Sequence, residues 1–384
     1  MLTPKLRNLS LLALSALYFL VRGKADKKIG PPQKILIIQL AKLGDMVSTT
    51  PMFRAVKEKY PKAELYVSGD KVNQELLSDN RDVDHYIIWS KKIEERFDAA
   101  FLTGPGPEAL AKLYLSGIPL IVAPTMVGGF TPLAAKSYRL LTKLVETRPH
   151  YLGRYAPREY LRLLEPIGIF TDDTKKHLAF SKKAEEKILN FFQQSNIQPA
   201  RPAGGPPTSL MVGIFPSTGH KIKLWGRDKF AKVADWLSLK HGAKIVLFGS
   251  ASDQREAEEF LTFVGRGTRI INTCGAFNVD ELKAAISKMS LFVSADSGPI
   301  YIAEAFDVPT VDILGPMSET DQAPVGKRHK VVFAPRRKPE LGVFNTRVYD
   351  EAEALRQSED VTVEMVIQAA EELVRDLRLR EKFG

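Results

Sequence analysis

KILIIQLAKLGDMVSTTPMFRAVKEKYPKAELYVS, from Lys34 to Ser68, decides the fold. Lys34–Leu40 is a near-continuous apolar run rich in isoleucine, the composition of a strand buried on both faces. Met46–Lys59 carries Met46, Phe53 and Val56 at helical spacing and is stopped by Pro61. Glu64–Ser68 is strand-like again. Strand, helix, strand in that order predicts a parallel sheet covered by helices.

Outward from this unit the same grammar continues. His85–Trp89, Ala99–Leu102 and Pro119–Ala123 read as strands, with helical patterns around Ala134–Val145, Ala156–Pro166 and Lys182–Gln194. At Gln198–Thr208 (QPARPAGGPPT) the composition collapses into proline and glycine, which hold neither a helix nor a central strand, so an interdomain linker is expected there. Strands then restart at Leu210–Phe215, Lys244–Phe248, Arg269–Asn272, Leu291–Ser294 and Thr310–Leu314. Helices are expected near Lys229–Leu239, Gln254–Val264, Val279–Lys288 and Ile300–Phe306. Pro335–Asp360 is charged and irregular. Val361–Leu379 is a final amphipathic helix with Val363, Val366, Ile367, Ala370, Leu373 and Leu377 on one stripe. The prediction is an α/β chain of two Rossmann-like domains, 31–197 and 209–345, with 346–384 as an irregular segment and helix. Such sheets bind ligands at the carboxyl ends of their strands, and in a tandem pair the cleft between domains is the expected place.

The 384 residues suit two domains, and 44% hydrophobic content excludes wholesale disorder. A net charge of +10 favours anionic partners, either phosphate-bearing molecules or an acidic membrane surface. Nucleic acid is disfavoured, since no zinc-finger spacing, ribonucleoprotein motif or aromatic-interleaved basic stripe is present. Cys274 is the sole cysteine, and the six histidines are scattered without a His-x-x-x-His pair, so no metal site is expected.

Leu9–Val21 (LSLLALSALYFLV) is apolar on every helical face apart from Ser10 and Ser15. As a helix it is about 20 Å long, short of the roughly 30 Å hydrocarbon core. Lys5 and Arg7 precede it, and Arg22, Lys24, Lys27 and Lys28 follow. Leu9–Val21 is therefore expected to lie in one leaflet among acidic headgroups, with residues 1–30 as anchor segment and linker, and with packing on the protein's own surface or a full span as the alternatives. Pro31-Pro32 separates the segment from the first strand, so few core contacts are expected across that boundary.

Three loops after strands carry candidate chemistry. Ala41–Asp45 holds a single glycine, Gly44, where a dinucleotide site needs Gly-x-Gly-x-x-Gly, and this disfavours nicotinamide or flavin. Asp45 there is either a candidate catalytic carboxylate or a plain helix cap, and Lys42 and Gly44 beside it are acceptor-side candidates. Asp296-Ser297-Gly298-Pro299 opens a helix, whose free amides and dipole favour a diphosphate. Asp296 is the awkward member, suited to bracing the loop or accepting from a sugar hydroxyl. Pro216–Trp225 supplies Ser217, Thr218, Lys221 and Lys223, either a leaving-group clamp or an ordinary solvated basic loop. Asp82-Val83-Asp84 has the Asp-x-Asp form of a metal site but precedes a strand instead of following one.

Together these loops resemble glycosyltransferase family nine, the ADP-heptose:lipopolysaccharide heptosyltransferases. The matching stretches are KILIIQLAKLGDMVSTTPMFRAVKEKYPKAELYV, Lys223–Trp225 (KLW) and LFVSADSGPIYIAEAFDVPTVDILGP. The resemblance implies a GT-B fold and inverting, metal-independent transfer, with no cofactor beyond the nucleotide-sugar substrate. It carries onto this chain Asp45 as general base, Lys223 on the diphosphate, and Asp296, Ser297 and Gly298 at the donor. It also implies a lipid-linked glycan acceptor at the cytoplasmic side of the inner membrane, with the protein peripheral or monotopic. Tyr301 stands where family members often have a histidine. Two other readings keep the fold: another nucleotide-sugar donor, or a non-catalytic sugar-nucleotide or glycan-binding module.

Overall fold

The computed structural model describes residues 4–89, 93–129, 131, 133–195, 210–341 and 349–383. It divides into two compact units, one holding the residues up to His177 with Thr320–Gln322, the other beginning at Leu178.

The first unit opens with helix α1 (Pro4–Arg22). It continues β1 (Lys34–Ile38), α2 (Leu43–Lys59), β2 (Glu64–Gly69), α3 (Lys71–Leu76), β3 (His85–Ile88), β4 (Ala99–Leu102), α4 (Pro107–Leu115), β5 (Leu120–Val127), α5 (Lys136–Leu141), β6 (Glu146–Tyr151) and α6 (Ala156–Leu161). The strands are parallel in the order β3-β2-β1-β4-β5-β6, with Ile38 of β1 opposite Ser68 of β2 and Leu102 of β4. Ile35 to Ile38 are fully buried, as the isoleucine-rich run requires of a central strand.

The second unit begins with α7 (Lys182–Gln194), then β7 (Met211–Phe215), α8 (Arg227–His241), β8 (Lys244–Leu247), α9 (Gln254–Phe263), β9 (Ile270–Asn272), α10 (Val279–Ser287), β10 (Leu291–Ala295), α11 (Gly298–Ala305), β11 (Thr310–Ile313), β12 (His329–Val332), α12 (Glu351–Glu359) and α13 (Val363–Phe383). Its parallel order β12-β11-β10-β7-β8-β9 repeats that of the first unit. In both, the order reverses between the first and fourth strands, the switch point where such sheets hold ligands. Gly213 on β7 has no room for a side chain, because a Cβ would meet the Phe292 ring at 2.6 Å. Val366, Ala370 and Leu373 of α13 join the core, as their stripe predicts.

Four expectations change. β6 and β12 are additional strands. Both are sheet edges, and Glu-Thr-Arg-Pro-His-Tyr, with Pro149 inside it, lacks the apolar run that marks a central strand. The helical pattern over Ala134–Val145 shrinks to α5 and a 3-10 turn. Part of the irregular 335–360 stretch is α12, capped by Asp350. The second unit starts ahead of the proline-glycine run, since Ser181, the cap of α7, donates to Asp280 of α10 at 2.7 Å. The linker reading itself falls outside the described residues.

The N-terminal helix also departs from a detached segment. Leu11, Leu12 and Tyr18 pack on the first unit's core. The Arg22 guanidinium donates to the carbonyls of Tyr114 and Ile118, and Ala25 is buried, bridging to Val145. Contacts therefore cross the Pro31-Pro32 boundary. No described helix is long and apolar enough to cross a membrane.

Candidate active site

In the first unit, the loop leaving β1 is tied down before it reaches Asp45. The Gln39 amide bonds the Ser68 carbonyl at 2.9 Å, its side-chain Nε2 donates to Thr49 Oγ1 at 3.0 Å, and its Oε1 accepts from the Ala41 amide at 3.0 Å. Gly69 lets β2 approach this loop, because a Cβ there would lie 2.8 Å from the Gln39 carbonyl oxygen. Asn73 Nδ2 donates to the Ala41 carbonyl at 3.2 Å. The cap of α2 is Lys42, so Asp45 sits in the first turn and is not the cap. Lys42 is exposed, Gly44 buried and Asp45 half-buried.

The Asp45 carboxylate accepts a hydrogen bond from the Tyr160 hydroxyl of α6, which Gln39 also contacts. Burial, and then the nearby Asp45 and Asp321 carboxylates, push the Tyr160 phenol well above its ordinary range, so it stays a donor. Nothing in the sequence signals Tyr160, because the contact closes a loop of more than a hundred residues. Asp84, half of the Asp-x-Asp decoy, is occupied by Lys57 Nζ at 2.6 Å and the Leu65 amide at 2.7 Å.

In the second unit, the two strands beside the switch point deliver the other two loops. The loop after β7 contains Lys223, and the loop after β10 contains Asp296. Lys223 is buried, and its Nζ donates to the Asp296 carbonyl at 2.7 Å and to Asp296 Oδ2 at 2.8 Å. The Tyr301 hydroxyl donates to Oδ1. Asp296 is therefore a brace, as one of its two expected tasks requires, and Tyr301 is part of that brace. Pairing with Lys223 also cancels the charge that would repel a phosphate at the adjoining helix.

Trp225 is buried with its indole donating to the Val361 carbonyl at 2.8 Å, and Ser358 Oγ donates to the Ile222 carbonyl at 2.7 Å, which pins the Lys-x-Trp segment to α12 and the turn after it. Lys221, two residues before Lys223, is exposed. Thr218 donates to the His220 carbonyl at 2.6 Å, so its hydroxyl is spent inside the loop. Ser217 is buried, and its Oγ has no hydrogen-bond partner among the described residues. Ser297 caps α11 without a side-chain bond to the helix amides, its Oγ lying 2.9 Å from Ser294 Oγ. Gly298 and Pro299 form the first turn of α11. A helix start whose capping side chain is turned aside is suited to an anion. Among the described residues no group of three or more His, Cys, Asp or Glu is placed to hold a metal ion.

The model for glycosyltransferase family 9 (heptosyltransferase) matches residues 112–346. The chain is similar to lipooligosaccharide heptosyltransferase 2 of Haemophilus influenzae, 24% identical over 363 residues, spanning 88% of this chain and 99% of that one. Among solved structures, it resembles a family 9 glycosyl transferase of Veillonella parvula with a TM-score of 0.71 at 20% identity, over 90% of this chain and 98% of that one. The E. coli ADP-heptose LPS heptosyltransferase II follows with a TM-score of 0.68 at 20% identity, over 90% and 99%.

Proposed function

We propose, from the premise that the chain belongs to glycosyltransferase family 9, that it moves a heptose from ADP-heptose to a lipopolysaccharide-type lipid-linked acceptor, with inversion and without a metal. The observation that carries this reading is Asp45, a half-buried carboxylate in the first turn of α2, held by a tyrosine that remains a donor. Such a group is suited to take the proton of an acceptor hydroxyl. The freed oxygen attacks the anomeric carbon as the bond from that carbon to the diphosphate oxygen breaks, and the electron pair leaves with ADP. One displacement inverts the centre and needs no carboxylate nucleophile.

The donor's diphosphate is assigned to the second unit: the start of α11, the Ser217 hydroxyl and the Lys223 ammonium. Developing charge on the leaving diphosphate is stabilised there by groups already in place. The name of the E. coli relative supports ADP-heptose as donor, and that of the Haemophilus relative a lipooligosaccharide acceptor. An acceptor of that kind sets the workplace at the cytoplasmic face of the inner membrane. The test is release of ADP from ADP-heptose in the presence of a delipidated core acceptor, with and without EDTA. Turnover unchanged by EDTA is the expected result, and activity lost in EDTA and restored by magnesium or manganese would remove the metal-free mechanism. A thermal-shift panel of nucleotide sugars identifies the donor independently, since a ligand at a hundred times its dissociation constant stabilises by about 2.7 kcal/mol.

A further inference from the structure

Helix α1 is amphipathic in the wrong sense for a helix on a soluble protein. Its inner stripe is Asn8, Leu11, Leu12, Ser15, Tyr18 and Arg22, at helical spacing, and these are the positions turned from solvent. Ser15 is fully buried and bonds the Leu11 carbonyl at 2.8 Å. The Tyr18 ring meets Tyr114 edge-on at 5.9 Å, Arg22 lies over Tyr114, and the Tyr114 hydroxyl donates to the Gly23 carbonyl at 2.6 Å. Asn8, Ser15, Tyr18 and Arg22 thus face the protein, while Arg7 and Ser10 stay exposed near the start of the helix. The outer stripe is Leu9, Leu14, Leu17, Leu20 and Val21, with Leu20 80% and Val21 86% exposed. A helix facing water carries the opposite arrangement.

The neighbouring helix α5 supplies the rest of the surface. It packs beside α1 and buries Tyr138 and Leu141, leaving Lys136, Arg139 and Leu140 exposed, with Lys143 exposed just beyond its end. Lys27 and Lys28 are exposed where the chain leaves α1. Two acidic groups beside α1 are already paired, Glu108 with Arg7 and Lys112, and Asp26 with Lys24.

We propose that the outer stripe of α1 and the basic rim of α5 form one fixed surface that seats the first unit in an acidic lipid leaflet. The apolar stripe enters the acyl boundary, and Lys136, Arg139 and Lys143 meet the headgroups. A second copy of the chain fits this face poorly, because a two-fold pairing would set like-charged rims against each other. The docking also fixes an orientation. Arg7, near the start of α1, pairs with Glu108 in the first turn of α4, and Arg22 at its end reaches Ile118 beyond α4. Helix α4 starts from the carboxyl end of β4, the edge that also bears the Asp45 loop. With α1 lying in the interface, that edge opens along the membrane surface, where a lipid-linked acceptor is held. This last step relies on the acceptor proposed above; the lipid surface does not.

The test uses the full chain in sedimentation with vesicles of phosphatidylcholine alone or mixed with phosphatidylglycerol. The wild type is expected on both, more tightly on the acidic mixture, with part of the binding surviving high salt. K136Q/R139Q/K143Q is expected to lose roughly a hundredfold of the acidic preference, about fivefold per residue. L17E/L20E is expected to release the protein from both vesicles. All five substituted side chains are exposed, so unchanged thermal unfolding serves as the folding control. Vesicle binding by L17E/L20E equal to that of the wild type would overturn the proposal. So would a wild type that ignores vesicles and forms a concentration-dependent dimer lost in L17E/L20E. The vesicles carry no sugar substrate, so a failure here leaves the transferase reading standing. Inactivity toward a delipidated acceptor with vesicle binding intact would remove only that reading.

Discussion

Replacing Lys223 by methionine separates the structural part of that residue from its catalytic part. Methionine keeps most of the apolar stem and removes the ammonium. In the folded chain the ammonium bonds the Asp296 carbonyl at 2.7 Å and Oδ2 at 2.8 Å, with the two side chains 9% and 8% exposed. Its loss leaves a carboxylate buried without its cation, a defect that costs about 3–5 kcal/mol. For a unit of this size, that lowers the melting temperature by roughly 10 °C. Lys223→Met/Asp296→Asn removes the orphaned charge as well, so most of the lost stability should return. Tryptophan fluorescence suits the measurement, since Trp225 and Trp236 lie in the second unit and only Trp89 in the first. The same double variant then tests the clamp. If Lys223 meets the departing diphosphate, the restabilised double variant still loses roughly 2–4 kcal/mol of transition-state stabilisation. The exposed Lys221→Ala should lose little. A single variant within about 1 kcal/mol of wild-type stability would refute the buried pair. A stable double variant with full turnover would refute the clamp.

Asp45→Asn should lower kcat by about 100-fold with donor affinity retained, and near-normal turnover would remove the base. Tyr160→Phe removes the hydroxyl that holds Asp45, so kcat should fall with donor affinity retained; an unchanged kcat would show that Tyr160 only fills space. His150 is held down to about 4, chiefly by burial and then by Arg162. The unfolded chain takes up that proton near pH 6.5 and the folded one does not until about 4, so stability should fall across this window as pH drops. The loss amounts to about 3 kcal/mol at most, and chemical denaturation of His150→Gln should show a flatter acid profile. Deleting residues 1–30 should destabilise the first unit, since Leu11, Leu12 and Tyr18 cover its core at about 1–2 kcal/mol each; unchanged thermal unfolding would return the segment to a detached anchor.

The central strands were legible because burial on both faces leaves a compositional mark. Ile35–Ile38, Val212–Ile214 and Leu291–Val293 are runs that a solvent-facing strand would not carry. The edge strands β6 and β12 carry no such mark, and their pairing is set by the neighbour already in place. Asp45, Lys223 and Asp296 were reachable because each follows a legible central strand, and loops after such strands hold the chemistry of this architecture. What those residues bond was not reachable. Tyr160 arrives at Asp45 from α6, and only the folded sheet brings the two together.

The N-terminal helix shows where sequence pattern stops and tertiary structure begins. Read alone, Leu9–Val21 is apolar all round, so no face is distinguished and a leaflet is the natural partner. The fold breaks that symmetry with few contacts: Arg22 finds two carbonyls at the end of α4, Tyr18 finds Tyr114, and Ser15 closes on its own helix. Ser15, Tyr18 and Arg22 thereby choose the inward face, which commits the leucines at 9, 14, 17 and 20 to the outside. The two sequence readings, membrane helix and packed helix, are thus compatible halves of one arrangement. The packed half supplies rigidity, and rigidity turns a greasy segment into a surface with a defined orientation relative to Asp45. A flexible tether would hold the protein near a bilayer without deciding which edge of the sheet faces along it.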